Sequence, residues 1–458
     1  MSQTHLVGIS LDPKGNERLK LISDEFEFNS AYFQTCDELN EKFEAEASEV
    51  RVAVLSVVNT QNTAEIAGQL QVLKFSCQQA YTILVIDKRI PAESVAFIKK
   101  SGADIIVYES DLYESSFLEF VVSQRIRGAT VPMKRQDFIM DSEITFKVFM
   151  MLPLAQKLLP VMFPGEIITA AKIEKIKSAK ELYVRREDID NLQEYLKNNK
   201  DLTAEGIVAR CRVNYMNLCK SHTDFIITLF DQSNRATFSA GKALLDKCAA
   251  LATEMLMNLS TLTDPWSIIN HSAVGETGSV ERSPGISAMS GLLAMSVDKI
   301  NTEDTVVAGL LADIGLLTLH PSILKKVRQD KFSELTQDEK KSYEQHPVHS
   351  INKCLEKKIP LSEEIKHIIM CTHEKFDLSG FPAKINPEYI VKESQLLQYC
   401  EVIDQKMIIK MGSKSEKARD VQAATLEIEL RQKKVLDLQL CNELQKCLEL
   451  SGNSQKAS

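Results

Sequence analysis

The chain has 458 residues, 44% of them hydrophobic, and a formal net charge of -8 at pH 7. This length predicts about two to four domains with packed cores. The acidic balance and the lack of a basic stripe with interleaved aromatics exclude a nucleic-acid backbone as the partner.

Cysteine usage and hydropathy predict a cytoplasmic protein. The 10 cysteines include no Cys-x-x-Cys pair, which is typical of a reducing compartment and not of a disulfide framework. No apolar run reaches the length of about 18 residues that spans a bilayer. The start of the chain lacks a basic region followed by an apolar core, so we expect no signal peptide and no membrane partner.

Residues 1–130 alternate short apolar runs with amphipathic stretches. We predict buried parallel strands near residues 5–10, 50–58, 81–86 and 104–107, and helices near residues 17–26, 63–77 and 92–101. This alternation predicts a flavodoxin-like, doubly wound α/β domain.

The segment from Ile98 to Ile106, in which a Gly-Ala pair ends the helix, resembles the last helix and strand of a response-regulator receiver domain. In that family an aspartate at the tip of the third strand accepts a phosphoryl group. The corresponding strand here ends at Asn59, and the fifth strand ends at Glu109 in place of the family's lysine. The resemblance therefore implies a pseudo-receiver, which has no phosphorylation site and docks signalling proteins.

The rest of the chain divides into three predicted regions. Residues 131–200 fit a small mixed domain and an interdomain connector equally well. Residues 201–412 begin with helical periodicity and few breakers, which predicts an all-α bundle. Residues 413–458 carry apolar residues near helical spacing, which predicts one amphipathic helix with a frayed end. That helix would pack on the bundle or pair with a second copy of the chain.

Residues 373–382 read His-Glu-Lys-Phe-Asp-Leu-Ser-Gly-Phe-Pro, and they follow an Ala312-Asp313-Ile314-Gly315 turn. Between the two segments lies His346-Pro347, and a Glu401-x-x-Asp404 pair comes after them. This order, over residues 270–410, resembles the HD-GYP phosphodiesterases. The resemblance implies a helical HD-type bundle with a metal site that opens cyclic di-GMP.

Several ligand positions of that family hold other residues in this chain. The family has histidines where this chain has Ala312, Thr372 and Arg282, a lysine where it has Leu316, and a tyrosine where it has Phe381. The resemblance implies vestigial metal-site positions at Asp313, His346, His373, Glu401, Arg282, Ala312 and Thr372. It also implies candidate ligand-binding residues at Lys375, Gly380 and Phe381.

The chemistry of these residues predicts a loss of catalysis. Asp313, His346, His373 and Glu401 offer enough nitrogen and oxygen ligands for one metal ion and too few for the family's two. A guanidinium has no lone pair to donate and repels a cation, so we expect Arg282 to form a charged fork with Asp313 or Glu401.

We therefore predict a catalytically inactive signalling protein with no catalytic residue and no expected cofactor. Any metal would be iron or manganese at the reduced site. The protein would bind partner proteins, or cyclic di-GMP without turnover. The alternative is an active phosphodiesterase with a single iron or manganese ion at the reduced site.

Simpler structural roles remain open for the same positions. Asp313 near a helix end is a common cap or turn residue. The Thr336-x-x-Glu339 sequence before His346 is typical of a capping box. Cys371 and Cys400, which flank site positions, are more typical of buried free cysteines than of metal ligands.

Overall fold

The protein is described by a computed structural model that covers residues 4–43, 50–152, 157–176, 182–199, 203–233, 238–262, 279–410, 424–431 and 433–453. The strands are β1 Leu6–Ile9, β2 Ser30–Phe33, β3 Val52–Ser56, β4 Tyr81–Ile86, β5 Ile105–Tyr108, β6 Thr130–Met133, β7 Val148–Leu152, β8 Lys157–Met162 and β9 Leu182–Arg185.

The helices of the first half are α1 Pro13–Phe26, α2 Cys36–Phe43, α3 Thr63–Ser76, α4 Ala92–Lys100, α5 Glu109–Glu114, α6 Phe117–Arg127, α7 Ala170–Lys175, α8 Ile189–Asn198 and α9 Ala204–Phe230. Those that follow are α10 Phe238–Leu259, α11 Ser279–Ala294, α12 Thr302–Leu311, α13 Pro321–Arg328, α14 Gln337–Glu344, α15 His346–Glu356, α16 Glu363–Cys371, α17 Lys392–Lys410 and α18 Leu438–Asn453.

The chain forms two compact units that are discontinuous in sequence. The first unit combines Met1–Thr130 with Phe225–Gly241 and Leu317–Gln329. The second unit contains Val131–Asp224, Lys242–Leu316 and Asp330–Ser458. Two segments from the later, helical part of the chain therefore belong to the unit that is built on residues 1–130.

The core of the first unit is a five-stranded parallel sheet with the order β2-β1-β3-β4-β5. Every residue of β1 and β3 is buried, as expected for strands covered on both faces by helices. Helix α1 begins at Pro13 because the Asp12 carboxylate accepts a hydrogen bond from the amide of Gly15 at 2.7 Å. The predicted flavodoxin-like class is confirmed.

Strand β2 and the helices α2, α5 and α6 of this unit were not predicted from the sequence. The strand Ser30–Phe33 is four residues long, lies at the edge of the sheet and is only partly buried. An edge strand lacks the uninterrupted apolar run by which the inner strands were recognised.

Residues 231–232 bond to the opposite edge of the sheet. The amide of Gln232 donates to the carbonyl of Ile106 in β5 at 2.9 Å, and the amide of Ile106 donates to the Asp231 carboxylate at 3.2 Å. The Lys99 ammonium also pairs with Asp231 at 2.9 Å. These bonds satisfy polar groups of β5 that a sheet edge would leave without partners.

The segment Leu317–Gln329 is held by a buried network of charges. The Glu119 carboxylate contacts Arg18 at 2.7 Å and Arg328 at 2.5 Å. Glu25 lies 3.4 Å from Arg328, so two acidic and two basic groups balance one another. Ser116, at the start of α6, donates its amide to the Leu317 carbonyl at 3.1 Å and its hydroxyl to the Leu319 carbonyl at 3.0 Å.

The second unit begins with a four-stranded sheet of order β6-β9-β7-β8, in which β7 is antiparallel to both of its neighbours. This sheet shares a hydrophobic core with α8 and with the first turns of α9, where Ala209 and Val213 are buried. Residues 131–199 thus have the elements of a small mixed fold. The domain boundaries inferred from the sequence stay predictions.

The later helices of the second unit form the predicted all-α bundle. Helix α11 packs against α12 and α17, and α12 also packs against α16. None of the helices within the described residues is long and apolar enough to cross a membrane.

The sequence predicted one amphipathic helix for the C-terminal region. The described residues of this region contain a break instead. A π-helical segment at Thr425–Arg431 precedes a turn at residues 433–437, where Lys434 has a positive φ, and α18 follows. Leu440 and Leu444 of α18 are buried, and Glu443 pairs with Lys392 of α17 at 2.9 Å. The apolar face of α18 therefore packs on the bundle.

The capping box at Thr336 gives a test of the fold. The Thr336 hydroxyl accepts from the Glu339 amide at 3.2 Å, and the Glu339 carboxylate accepts from the Thr336 amide at 2.8 Å. We expect Thr336→Ala to lower the free energy of unfolding by about 1 kcal/mol, because the first turn of α14 loses its cap.

The measurement is the midpoint of urea denaturation. The matched control is Thr253→Ala at an exposed interior position of α10, where alanine favours the helix and no loss is expected. Equal midpoints for the two variants would contradict the capping role.

Candidate functional site

The turn that carries Asp313 is pinned to α15 by backbone contact. The Ser350 hydroxyl donates to the Ala312 carbonyl at 2.6 Å and accepts from the Gly315 amide at 2.7 Å. A Cβ at Gly315 would lie 2.0 Å from the carbonyl oxygen of His346, so only glycine permits this approach. Asp313 is consequently held beside the first turn of α15, and it is not merely a helix cap.

His346 is fully buried in that first turn. Its Nδ1 lies 2.7 Å from the Tyr343 carbonyl oxygen. A carbonyl only accepts, so Nδ1 carries the proton of this bond and Nε2 is the nitrogen that faces His373. Fixing one nitrogen in this way is how proteins orient histidines that bind metal.

The segment His373–Pro382 folds back on itself. A Cβ at Gly380 would lie 2.5 Å from both the His373 carbonyl oxygen and the Lys375 amide, and Phe381 donates its amide to the His373 carbonyl at 3.1 Å. As a result the Phe381 ring stacks on the His373 ring, with centroids 4.7 Å apart and an interplanar angle of 20°.

Glu374 holds the backbone that follows this segment, at residues 383–385. Its buried carboxylate accepts hydrogen bonds from the amides of Ala383 at 2.7 Å, Lys384 at 2.9 Å and Ile385 at 3.3 Å. A carboxylate that accepts several backbone bonds holds the chain in one path. Glu374 is therefore a structural member of the motif and not a candidate ligand.

Three ligand atoms converge where these elements meet. His346 Nε2 lies 3.0 Å from His373 Nε2 and 3.4 Å from Asp313 Oδ1, and His373 Nε2 lies 4.0 Å from the same oxygen. Two imidazole nitrogens and a carboxylate oxygen suit a first-row divalent metal. Within the described ranges this is the group of His, Cys, Asp and Glu side chains whose spacing fits a metal ion.

Burial and charge set the protonation of these groups. Burial, together with the nearby His346, lowers the pKa of His373 to about 3, so its ring is neutral at pH 7. Burial works to raise the pKa of Asp313, but His346, His373 and Arg282 outweigh burial, and the pKa lies below its usual value.

Glu401 differs from Asp313 in its protonation. Burial and the negative charge of Asp313 raise the pKa of Glu401 well above its usual value. Its Oε2 lies 3.6 Å from Nδ1 of His373, on the side of the ring that faces away from His346. Glu401 therefore lies beside the ring nitrogen of His373 that does not face His346.

Arg282 pairs with Asp404, which corrects the sequence-based hypothesis. Its Nε lies 2.5 Å from Asp404 Oδ2, whereas no ion pair joins it to Asp313 or Glu401 among the residues that the structure describes. Glu401 and Asp404 are three residues apart and share one face of α17, so the sequence could not decide between them. Burial raises the pKa of Asp404 even though the Arg282 guanidinium acts in the opposite direction.

The remaining predicted positions are close by but supply no metal ligand. The Thr372 hydroxyl donates to the Ile368 carbonyl at 3.0 Å, and Ala312 is buried at the end of α12. Gly380 is buried in backbone contacts, so among the candidate ligand-binding residues Phe381 and Lys375 remain. Lys375 lies close enough to His373 to lower the pKa of that ring.

The two neighbouring cysteines are buried thiols. Burial raises the pKa of Cys371 to about 12 and that of Cys400 well above its usual value. A thiol with so high a pKa is a poor metal ligand at pH 7.

Several supporting residues were not recognised from the sequence. Tyr343 packs edge-on against Phe381, Ser350 pins the Asp313 turn, and Asp404 holds Arg282. His222 of α9 contacts the Leu310 carbonyl at 2.7 Å, just before that turn. Of these residues, only Ser350 had a signal in the sequence. It follows His346 by four positions, which places both side chains on one face of α15.

Comparisons with known proteins agree with the helical part of this description. Residues 254–440 match the family model of the HD domain. No curated protein matches the chain. The solved structure of Bd1817, a HDG"Y"P protein from Bdellovibrio bacteriovorus, is similar over 70% of this chain and 99% of that chain, with 14% identity and a TM-score of 0.42. A similarity at this TM-score supports no conclusion about activity.

Residues 254–440, which span α10 to the start of α18, are therefore similar to the HD domain, the helical class that the motifs predicted. The fold class of the chain, a flavodoxin-like α/β part followed by a helical HD-type part, is confirmed.

The contact at Gly315 gives a test of the site's construction. We expect Gly315→Ala to lower the free energy of unfolding by about 3 kcal/mol, because the new methyl group meets backbone atoms of α15. Gly68→Ala is the control, since its Cβ meets nothing within 4 Å on the exposed side of α3. That change should stabilise the helix by about 0.5–1 kcal/mol. The free energy of unfolding of both variants is measured by urea denaturation. A Gly315→Ala protein as stable as wild type would refute the close packing.

The Arg282–Asp404 pair gives a second test. Arg282→His removes a fixed positive charge and adds an imidazole beside the carboxylates of Glu401 and Asp404. We expect the variant to bind one more Mn²⁺ per chain than wild type, measured by metal analysis after equilibrium dialysis. The control Arg282→Met removes the charge without adding a ligand and should gain no metal. An unchanged metal content in Arg282→His would show that Arg282 does not stand in for a cation.

Proposed function

We propose that this chain is a signalling protein whose HD domain binds one divalent cation, does not hydrolyse cyclic di-GMP, and acts by binding. The observation that carries the proposal is the contrast between two neighbouring groups of side chains. Asp313, His346 and His373 converge on a common point, whereas Asp404 is already paired with a guanidinium.

The donor set supports the single cation, for which iron or manganese is the expected metal. Asp313, His346 and His373 would hold it, and when bound it would polarise a phosphate oxygen as a Lewis acid. His346 is already oriented by Tyr343, so little reorganisation is needed. The Nε2 atoms of the two imidazoles lie 3.0 Å apart, a distance that requires a proton between them. A cation would displace that proton.

The pairing of Arg282 supports the absence of hydrolysis. The resemblance to HD-GYP enzymes implies two metal ions, and a second ion would need carboxylates such as Glu401 and Asp404. Asp404 is neutralised by Arg282, and Glu401 has a raised pKa that favours its protonated, weakly coordinating form.

Two kinds of partner fit this role. Signalling proteins would dock on the receiver-like domain, which offers no aspartate at the end of β3 for phosphorylation. Cyclic di-GMP would bind beside the metal without turnover, with Lys375 as the nearest cation for its phosphates. Self-association through the C-terminal helix is a further expectation, which the buried apolar face of α18 makes the weakest of the three.

A single-metal phosphodiesterase is the second candidate. It is favoured by the three-ligand arrangement itself, since catalytic metal sites commonly have three protein ligands and one open position. A measurement of cyclic di-GMP hydrolysis distinguishes this candidate from the binding protein proposed first.

The metal content of the purified protein tests the single-cation proposal. We expect one Mn²⁺ per chain in wild type and none in Asp313→Ala, because that change removes the anionic ligand. Calorimetric titration in buffers of different ionisation enthalpy should also show about one proton released per metal bound. The control Asp377→Ala alters an exposed turn aspartate of the same motif and should keep the metal. Failure of wild type to bind Mn²⁺ or Fe²⁺ would refute the proposal.

Cyclic di-GMP hydrolysis separates the two candidates. The assay is run anaerobically with Fe²⁺ or Mn²⁺, with an active HD-GYP enzyme in parallel. We expect no linear product from the folded, metal-loaded wild type. Linear product that disappears in Asp313→Ala would establish the second candidate instead.

A further inference from the structure

We propose that His222 of α9 is a positioning residue for Asp313, the anionic ligand of the candidate metal site. This inference rests on the proposed function, because it concerns the cation that Asp313 would hold. His222 and Asp313 both belong to the second unit, and so do the residues that connect them. His222 nevertheless precedes residues 254–440, the part of the chain that matches the HD domain.

The first step is the bond that His222 makes at the end of α12. The last four carbonyls of an α-helix have no partner inside the helix. Leu310 carries one of them, and Nε2 of His222 lies 2.7 Å from its oxygen. Since a carbonyl only accepts, Nε2 carries the proton and donates it. His222 therefore caps α12 from a neighbouring helix.

The second step is the burial of this contact. His222 and Leu310 are both buried, so a bond to bulk water would not replace the one between them. Burial lowers the pKa of His222 to about 4, although the bond to Leu310 acts in the opposite direction. The ring is therefore neutral at pH 7, and a neutral amide of the same reach can substitute for it as a donor.

The third step is the anchoring of the helix that carries His222. The Asp190 carboxylate of α8 accepts hydrogen bonds from Asn217 of α9 at 2.8 Å and from Lys220 of α9 at 2.9 Å. It also accepts from Lys247 of α10 at 2.8 Å. These bonds join α9 to the helices before and after it in the chain. The position of His222 is therefore fixed by contacts that do not involve the metal site.

The fourth step is the short path from Leu310 to Asp313. Only two residues, both buried, lie between them. The Ser350 hydroxyl donates to the Ala312 carbonyl at 2.6 Å, so this segment is held by His222 at one end and by Ser350 at the other. A residue spans at most about 3.3–3.6 Å even when extended, and a helical one spans less. A displacement of the Leu310 carbonyl therefore reaches the backbone of Asp313.

The experiment compares the Mn²⁺ affinity of the full chain in wild type, His222→Leu, His222→Gln and Tyr195→Phe. We expect His222→Leu to bind Mn²⁺ about tenfold more weakly, as is usual when a residue that orients a ligand is changed. His222→Gln should bind as wild type does, because its amide nitrogen takes the place of Nε2 and donates to the same carbonyl.

Tyr195→Phe is the matched control for a loss of stability without a change at the site. The Tyr195 hydroxyl accepts from the Ile139 amide at 2.9 Å and lies 2.6 Å from the Ser142 hydroxyl, in the core of the small sheet. Removing it costs the second unit buried hydrogen bonds, so we expect a lower urea midpoint and wild-type Mn²⁺ affinity.

His222→Asn keeps the test decisive if His222→Leu fails to fold. The Asn amide reaches only as far as Nδ1 of the imidazole, so this variant keeps a polar side chain but loses the bond to Leu310. Its Mn²⁺ affinity should fall as that of His222→Leu does.

Amide hydrogen exchange of the metal-free proteins gives a second readout. The amide of Leu316 donates to the Asp313 carbonyl at 3.0 Å, and it should exchange faster in His222→Leu but at the wild-type rate in His222→Gln and Tyr195→Phe. Wild-type affinity with unchanged exchange in His222→Leu, or an equal loss of affinity in Tyr195→Phe, would overturn the positioning role. A wild type that binds no Mn²⁺ would instead refute the proposed function, and the exchange rates would then decide the positioning role alone.

Discussion

The close approach of two backbone segments, at Gly315 and at the first turn of α15, is the constraint on which the site depends. It fixes the separation of Asp313 and His346 through main-chain geometry, to which the Ser350 hydroxyl adds a side-chain bond. Backbone contact of this kind cannot be altered by a change of rotamer. The third ligand, His373, is brought in by an independent loop that closes around its own glycine, Gly380. Two glycines with almost no free space thus determine where three ligand atoms meet.

In this region the positive charge beside Asp404 is the Arg282 guanidinium, whereas in a centre with two metal ions it would be a metal. A guanidinium carries a permanent charge and cannot leave the site, whereas a metal ion exchanges with solvent. Asp404 is therefore neutralised in a way that does not depend on metal supply. Asp313 remains the acidic group with a lowered pKa, and Glu401 has a raised one, so a cation would meet one carboxylate and two imidazoles.

The sequence predicted the inner strands and the order of the motif segments, because each has a strong local signal. The strands β1, β3 and β4 are uninterrupted apolar runs, and the motif residues occur in a fixed order. It did not predict β2, whose residues are half-buried, or the partner of Arg282, which depends on how α17 is rotated in the bundle. The tail was predicted as one helix because its apolar spacing continues through the turn at Lys434. Spacing along the chain does not reveal such a break.

The pairing of β5 with the segment after α9 has a consequence for how the protein can be divided. Residues 231–232 occupy the outer edge of the sheet, and Asp231 lies 125 positions after Ile106, the residue of β5 with which it bonds. A fragment that ends near residue 130 would contain all five strands, yet it would expose the polar groups of β5 and leave Glu119 without Arg328. Exposed strand edges pair readily with other chains. The amino-terminal fragment is therefore expected to self-associate or aggregate when it is separated from the helices that follow.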